Sequence, residues 1–244
     1  FTMDQTIIVF DTETTGLPKS KIINNETLHL WPHVVQFSYV MYNVGQMKLE
    51  KIVDKVVNIP SNIIMPEEAI NLHKITNEQA QQSNITIQSV LNEFIEDISC
   101  NNVIAIVGHN ISFDINMLKI ELLRLINNDD VMEKSIFKKM FYEINYTNKT
   151  FCTMKKSIDL CQIPARRKDG TVYYKYPKLV ELYKKLFEEE EPQNLHNSLN
   201  DVLVTLRCYY KLVYKDDLYE QDNSTFRLVY KMNIYNMEVV DQTS

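Results

Sequence analysis

Apolar positions fall along the chain either in short continuous runs or at helical spacing, and their order predicts an α/β fold. Residues 7–10 are a run of four apolar residues with β-branched types, stopped by Gly16 and Pro18, and they read as a buried strand. Residues 34–42 alternate well enough for a second strand and 47–59 for a third. The short Asn43-Val44-Gly45 break predicts that these strands pair antiparallel. Residues 65–73 open a short helix with Pro66 in its first turn. Within 86–99, Ile87, Val90, Leu91, Phe94, Ile95 and Ile98 form one apolar helical face, and the run 103–107 before Gly108 reads as a fully buried strand. Hairpins followed by a helical crossover predict a mixed sheet.

Ser112 is the expected N-cap of a helix over 113–126, with Met117, Leu118, Leu122 and Leu125 inward. Asp114, three and four residues before Met117 and Leu118, shares that inward side. Residues 127–149 are charged and Asn-rich and read as an insertion with a short helix near 131–142; 150–153 is a candidate last strand. Residues 177–187 form an amphipathic helix running into the acids 188–191, which oppose the helix dipole and should fray its end. Asn197 or Ser198 caps a last helix to about 212, carrying Leu199, Val202, Leu203, Leu206 and Tyr210 inward and Asp201 about one turn in. The expected domain is 4–213. Residues 214–244 form a C-terminal extension with aromatics but no clean period, either a packed helix or partly loose.

Composition narrows the picture. The 244 residues are 45% hydrophobic and 24% charged, values of a globular chain, and no apolar run reaches the roughly 18 residues of a transmembrane span. With no basic-then-apolar leader, an intracellular protein, cytoplasmic or nuclear and neither secreted nor in a membrane, is expected. Four cysteines without a Cys-x-x-Cys pair argue against a zinc site or a disulfide scaffold. A net charge of −6 argues against holding a long duplex by overall field, so any grip on nucleic acid must be local or metal-assisted.

The candidate chemistry lies at element ends. Asp11 and Glu13 are two apart on a strand, so both carboxylates project from one side, roughly 7 Å apart at the backbone. Asp114 and Asp201 open two helices. Four carboxylates brought together stay ionised only if cations offset their repulsion, and two divalent ions roughly 3.5 to 4 Å apart would do so.

Asp11-Thr-Glu-Thr-Thr-Gly, Gly108-His-Asn-Ile-Ser-Phe-Asp114 and His196-Asn-Ser-Leu-Asn-Asp201 resemble, in order, the three motifs of the DEDD 3′ to 5′ exonucleases whose third motif carries a histidine. That family includes the proofreading epsilon subunit of bacterial replicative polymerase, ribonuclease T and oligoribonuclease. Trp31-Pro-His-Val-Val-Gln-Phe resembles its second-strand segment. Leu72-His-Lys-Ile-Thr resembles its Leu-His-Gly-Ile-Thr, with Lys74 in place of the usual glycine. The resemblance covers about 6–213 and implies an α/β ribonuclease H-like domain, a mixed sheet of about five strands flanked by helices, acting on single-stranded DNA or RNA 3′ ends.

By position, the resemblance implies that Asp11 bridges two Mg²⁺ or Mn²⁺ ions, that Glu13 and Asp201 support one, that Asp114 holds the other, and that His196 is the general base. It also implies that Thr12, Thr14, Gly16 and Leu17 meet the terminal nucleotide, although turn and core duty would explain them too. His73, Asn110 and Phe113 either line the same pocket or fill the core. Lys155, Lys156, Arg166, Arg167 and Lys168, interleaved with Phe151, Tyr173, Tyr174 and Tyr176, suit single-strand binding or a solvated hairpin. DNA proofreading or repair is the first functional expectation. The alternatives are an RNA 3′-processing exoribonuclease and a catalytically silent nucleic-acid or protein-binding module. A polymerase or other protein partner is left open.

Overall fold

The computed structural model describes residues 5–144, 149–189, 191–221 and 225–235. Residues 145–148 of the expected insertion and 236–244 of the extension lie outside them.

Strand β1 (Thr6–Thr14) is the middle of a five-stranded sheet. It pairs antiparallel with β2 (Val34–Asn43), which pairs antiparallel with β3 (Lys48–Val56). Helices α1 (Glu67–His73), α2 (Asn77–Gln82) and α3 (Ile87–Cys100) then carry the chain across to β4 (Val103–Gly108), parallel to β1 on its other side. After α4 (Ile111–Asn127) and α5 (Lys134–Glu143), β5 (Thr150–Cys152) adds in parallel at the edge. The order β3-β2-β1-β4-β5 is the expected mixed sheet of five strands flanked by helices.

Alternation along β1 divides the interior into two layers. Ile8 and Phe10 point to the α3–α4 side, where Phe94 packs against Phe10 and Phe37 at ring separations of 5.3 and 5.1 Å. Ile7 and Val9 point the other way, onto the layer built from the last helices. Two short helices, α6 (Thr153–Lys156) and α7 (Ile158–Cys161), lead to a separate hairpin of β6 (Pro164–Arg166) and β7 (Val172–Tyr174). Helices α8 (Leu179–Phe187) and α9 (Ser198–Tyr214) follow, and α10 (Leu218–Gln221) and α11 (Thr225–Ile234) close the described chain.

Several expectations need correction. Asn110, not Ser112, holds the N-cap position of α4, in left-handed backbone at φ 68° and without a side-chain cap. The cause is a sharp turn out of β4. A Cβ on Gly108 would meet the Cβ of Ile111 at 3.0 Å, so the backbone passes too close for a longer approach, and asparagine tolerates the left-handed residue this requires. Pro66 is the N-cap of α1 rather than an internal first-turn residue. Helix α5 starts at Lys134 instead of near 131. Helix α8 starts at Leu179 rather than 177 and ends at Phe187, with Glu188 as its left-handed C-cap at φ 54°. The extension packs: Leu218, Phe226, Tyr230 and Ile234 are all fully buried against α9.

Candidate active site

Three elements converge at the carboxyl end of β1. Asp11 and Glu13 continue the face of Ile7 and Val9, so they turn towards the α9 layer, where Asp201 sits in the first turn. Carboxylate oxygens of Asp11, Glu13 and Asp201 lie within 4.8 Å of one another. Thr12 points to the opposite layer. There its backbone N–H and its hydroxyl donate to Asp114 Oδ1 at 3.0 and 2.9 Å, holding that buried carboxylate at the strand end. One strand therefore organises three of the four acids, two directly and one through Thr12, and α9 brings Asp201.

Electrostatics show the cost of this packing. Burial, then the charges of Asp114, Asp201 and Glu13, push Asp11 well above the usual carboxylate range. Burial and the charges of Asp201 and Asp114 raise Glu13 to about 8. Burial raises Asp114 and Asp201 to about 7, although the Thr12 bonds and the His196 N–H respectively pull the other way. Among the described residues no Lys or Arg pairs with any of the four. An anionic, all-oxygen donor set of this kind fits a hard divalent cation such as Mg²⁺ or Mn²⁺ and not a metal preferring nitrogen or sulfur.

His196 stands at the approach to α9, left-handed at φ 69°, and its backbone N–H donates to the Asp201 carboxylate at 3.3 Å. Partial burial and the Lys178 ammonium nearby hold its imidazole below the ordinary value, which keeps it neutral at pH 7. The start of α9 is clamped by groups that the sequence alone did not single out. Ser198 N–H donates to Gln36 Oε1 at 3.2 Å, Ser198 Oγ lies 2.5 Å from Ser38 Oγ, and Gln36 and Ser38 both donate to Asp54 at 2.7 Å. The signal was available, since Gln36 and Ser38 are polar residues alternating within an apolar strand.

The other candidates fall around this centre in different ways. The Thr14 hydroxyl donates to Gly16 O at 2.7 Å, Gly16 occupies φ 150°, and Leu17 beyond it is 82% exposed. His73 is buried, accepts the Ile75 N–H at Nδ1 at 3.1 Å, and lines with His196 a cleft of about 420 Å³ that none of the four carboxylates reaches. Asn110 is exposed at the head of α4, while Phe113 is partly buried against the α4-side core. A second network missed by sequence reasoning fixes the loop opposite Thr15. Thr15 and His33 exchange bonds at 2.8 and 2.9 Å, and Arg124 donates to the carbonyls of Trp31 and Pro32 at 2.7 and 2.9 Å. Arg124 is held in turn by buried Glu121 at 2.7 Å.

A mixed five-stranded sheet that brings strand and helix carboxylates to one end defines the ribonuclease H-like exonuclease class. Residues 8–209 match the family model described as exonuclease, RNase T, and the chain belongs to that DEDD exonuclease family. Among solved structures it is similar to exonuclease I of E. coli in complex with a dT13 oligonucleotide, with TM-score 0.54 and 14% identity over 85% of this chain and 41% of that one. Exonuclease I of Methylocaldum szegediense gives TM-score 0.55 and 15% identity over 92% and 42% of the two chains. A 3′-exonuclease that recognises the 3′ end of a histone mRNA stem-loop gives TM-score 0.55 and 14% identity over 89% and 85%. The chain thus spans less than half the length of the exonuclease I chains it matches, and at these identities the likeness is one of fold. No curated protein matches the sequence. No helix among the described residues is long and apolar enough to cross a membrane.

Proposed function

We propose that this chain is a two-metal 3′ to 5′ exonuclease that hydrolyses single-stranded nucleic-acid ends to nucleoside monophosphates. The observation that carries the reading is the convergence of Asp11, Glu13 and Asp201 within 4.8 Å, with Asp114 held alongside by Thr12. Asp11 would be shared by two divalent cations, Glu13 and Asp201 supporting one and Asp114 the other. Cations there would supply Lewis acidity towards the phosphodiester and its attacking water.

The protein's own groups do the remaining work. His196, neutral at pH 7 beside Lys178, accepts a proton from the attacking water. Glu121 and Arg124 fix the 31–34 loop, which in turn fixes Thr15 and the backbone that presents Thr14, Gly16 and Leu17 to a terminal nucleotide. His73, with its Nδ1 committed to Ile75, flanks this turn, and Asn110 and Phe113 flank Asp114.

DNA stays the first substrate, in a proofreading or repair setting, since exonuclease I structures with thymidine oligonucleotides share the fold. RNA is favoured by a different observation: this chain spans 85% of the 3′-exonuclease of the histone mRNA stem-loop. Matched end-labelled DNA and RNA oligonucleotides, incubated with Mg²⁺ or Mn²⁺ and with a chelator, separate these readings. Metal-dependent shortening of one or both is expected. A parent protein that degrades neither would leave a nucleic-acid or protein-binding module.

A further inference from the structure

Residues 163–178 read Ile-Pro-Ala-Arg-Arg-Lys-Asp-Gly-Thr-Val-Tyr-Tyr-Lys-Tyr-Pro-Lys, five cations and one acid in a chain of net charge −6. They form the β6–β7 hairpin, with Pro164 opposite Tyr174, Ala165 opposite Tyr173 and Arg166 opposite Val172. The turn is self-contained: Arg167 N–H donates to Thr171 O at 2.9 Å, Gly170 lies at φ 86°, and Asp169 accepts from Thr171 N and Oγ1 at 3.0 and 2.7 Å. The hairpin pairs with no other strand among the described residues, and no residue of β6 or β7 enters a core cluster.

Such a two-stranded element is marginal in water unless one of its faces is covered. Yet it displays large side chains: Val172 is 59% exposed, Tyr173 40%, Tyr174 50% and Tyr176 54%. The Arg167 guanidinium lies over the Tyr173 ring at 5.2 Å. Among the described residues, Arg166, Arg167 and Lys168 make no ion pair, whereas Lys175 is held by Glu181 at 2.6 Å. Exposed rings on one strand beside unpaired cations on the other strand and the turn are the two groups needed to stack bases and follow a phosphate chain.

The hairpin's root is tied to the end of β4. Pro177 O bonds His109 Nε2 at 3.0 Å, and His109 Nδ1 meets Thr153 Oγ1 at 3.0 Å, so the returning strand is anchored at the end of β4, next to the turn that leads to Asp114. Lys155 Nζ donates to Ser112 Oγ at 3.0 Å and ties α6 to the head of α4. Lys178, one residue past Pro177, is close enough to His196 to act on its imidazole. The arm therefore springs from the rim of the site, between the second and third motifs.

We infer that the 163–178 hairpin is an arm that grips the single strand upstream of the terminal nucleotide, Arg166, Arg167 and Lys168 meeting phosphates and Tyr173, Tyr174 and Tyr176 stacking on bases. The inference rests on the exonuclease reading above. DNA and RNA share the chemistry, and the arms of the test distinguish them.

Two variants of the full chain test it: Arg166→Gln with Arg167→Gln and Lys168→Gln, and Tyr174→Ser with Tyr176→Ser. The substrates are thymidine 5′-(p-nitrophenyl phosphate), too short to reach the arm, and long thymidine or uridine oligonucleotides. For whichever strand the parent uses, KM should rise roughly tenfold or more in each variant. In the charge variant the slope of log KM against log salt should flatten by about 2, the share of three phosphate contacts. The nucleotide ester should be cleaved as by the parent, which also verifies folding. Oligonucleotide KM unchanged in both variants overturns the arm while leaving the exonuclease reading intact. Anisotropy of labelled oligonucleotides in chelator needs no catalysis. If the parent cleaves nothing, weaker strand binding by both variants still supports the arm, and unchanged binding, or tighter binding of duplex than of single strand, overturns it.

Discussion

Asp11 and Thr12 are adjacent, yet strand geometry sends them to opposite layers, one into the carboxylate cluster and the other onto Asp114. Crowding makes Asp11 costly to the folded chain when no metal is bound. An acid whose folded pKa is raised takes up a proton that the unfolded chain does not, so the cost of Asp11 is absent below the unfolded value of about 4 and is complete once pH has risen past its raised folded value. Asp11→Asn should therefore melt higher than the parent at pH 8 in chelator, with the gap shrinking towards pH 5, while losing on the order of 10³-fold or more in turnover. Turnover within tenfold of the parent would remove Asp11 from the site. His196 needs a replacement that tolerates its left-handed backbone, so asparagine serves better than alanine. His196→Asn should lose on the order of 10²-fold in single-turnover rate while binding oligonucleotide as the parent does. An unchanged rate would make it a loop residue only. Most of this centre was legible because its signals are local: a two-residue alternation for Asp11 and Glu13, a three- and four-residue spacing for Asp114. Thr12's bond to Asp114 spans 102 positions and leaves no local trace. Lys74 holds left-handed backbone at φ 65° at the end of α1, a position that suits the family's glycine and that lysine fills at a backbone cost.

Helix α9 carries Asp201 at one end and fully buried Arg207 further along. Arg207 donates to Glu189 at 2.8 Å and to Asp217 at 2.7 Å, and its guanidinium lies over the rings of Phe187 and Tyr219 at 4.1 and 4.7 Å. It thus joins α8, α9 and the C-terminal helices into one layer. Removing one member of a buried ion cluster leaves the others uncompensated, at about 3–5 kcal/mol. Glu189 is partly solvated, so Arg207→Met is expected near the lower end, read as a reduced urea midpoint with faster proteolysis beyond α9. A midpoint equal to the parent's would show that the cluster contributes nothing. This layer was hard to read from sequence because Glu189 looks like part of a frayed helix end until its partner Arg207 arrives from α9. The spacing of Phe226, Tyr230 and Ile234, four residues apart, was the helical signal in the extension.

At the scale of the molecule, the mixed sheet was predictable because each strand announced itself by a continuous or alternating apolar run, and the crossover at β4 followed from chain order. The turn at Asn110 was not, because close approach of Gly108 and Ile111, rather than capping chemistry, decides where α4 begins. Under the proposed function, the acidic centre at the end of β1 acts on one chain terminus at a time. The direct test compares a 5′-labelled single strand ending in a 3′-hydroxyl with the same strand ending in a 3′-phosphate and with a circular form, each incubated with Mg²⁺ or Mn²⁺. The account predicts a ladder shortening from the 3′ end with release of nucleoside monophosphates, slow attack on the 3′-phosphate and an intact circle. Cutting of the circle at a rate comparable to the linear strand would contradict it.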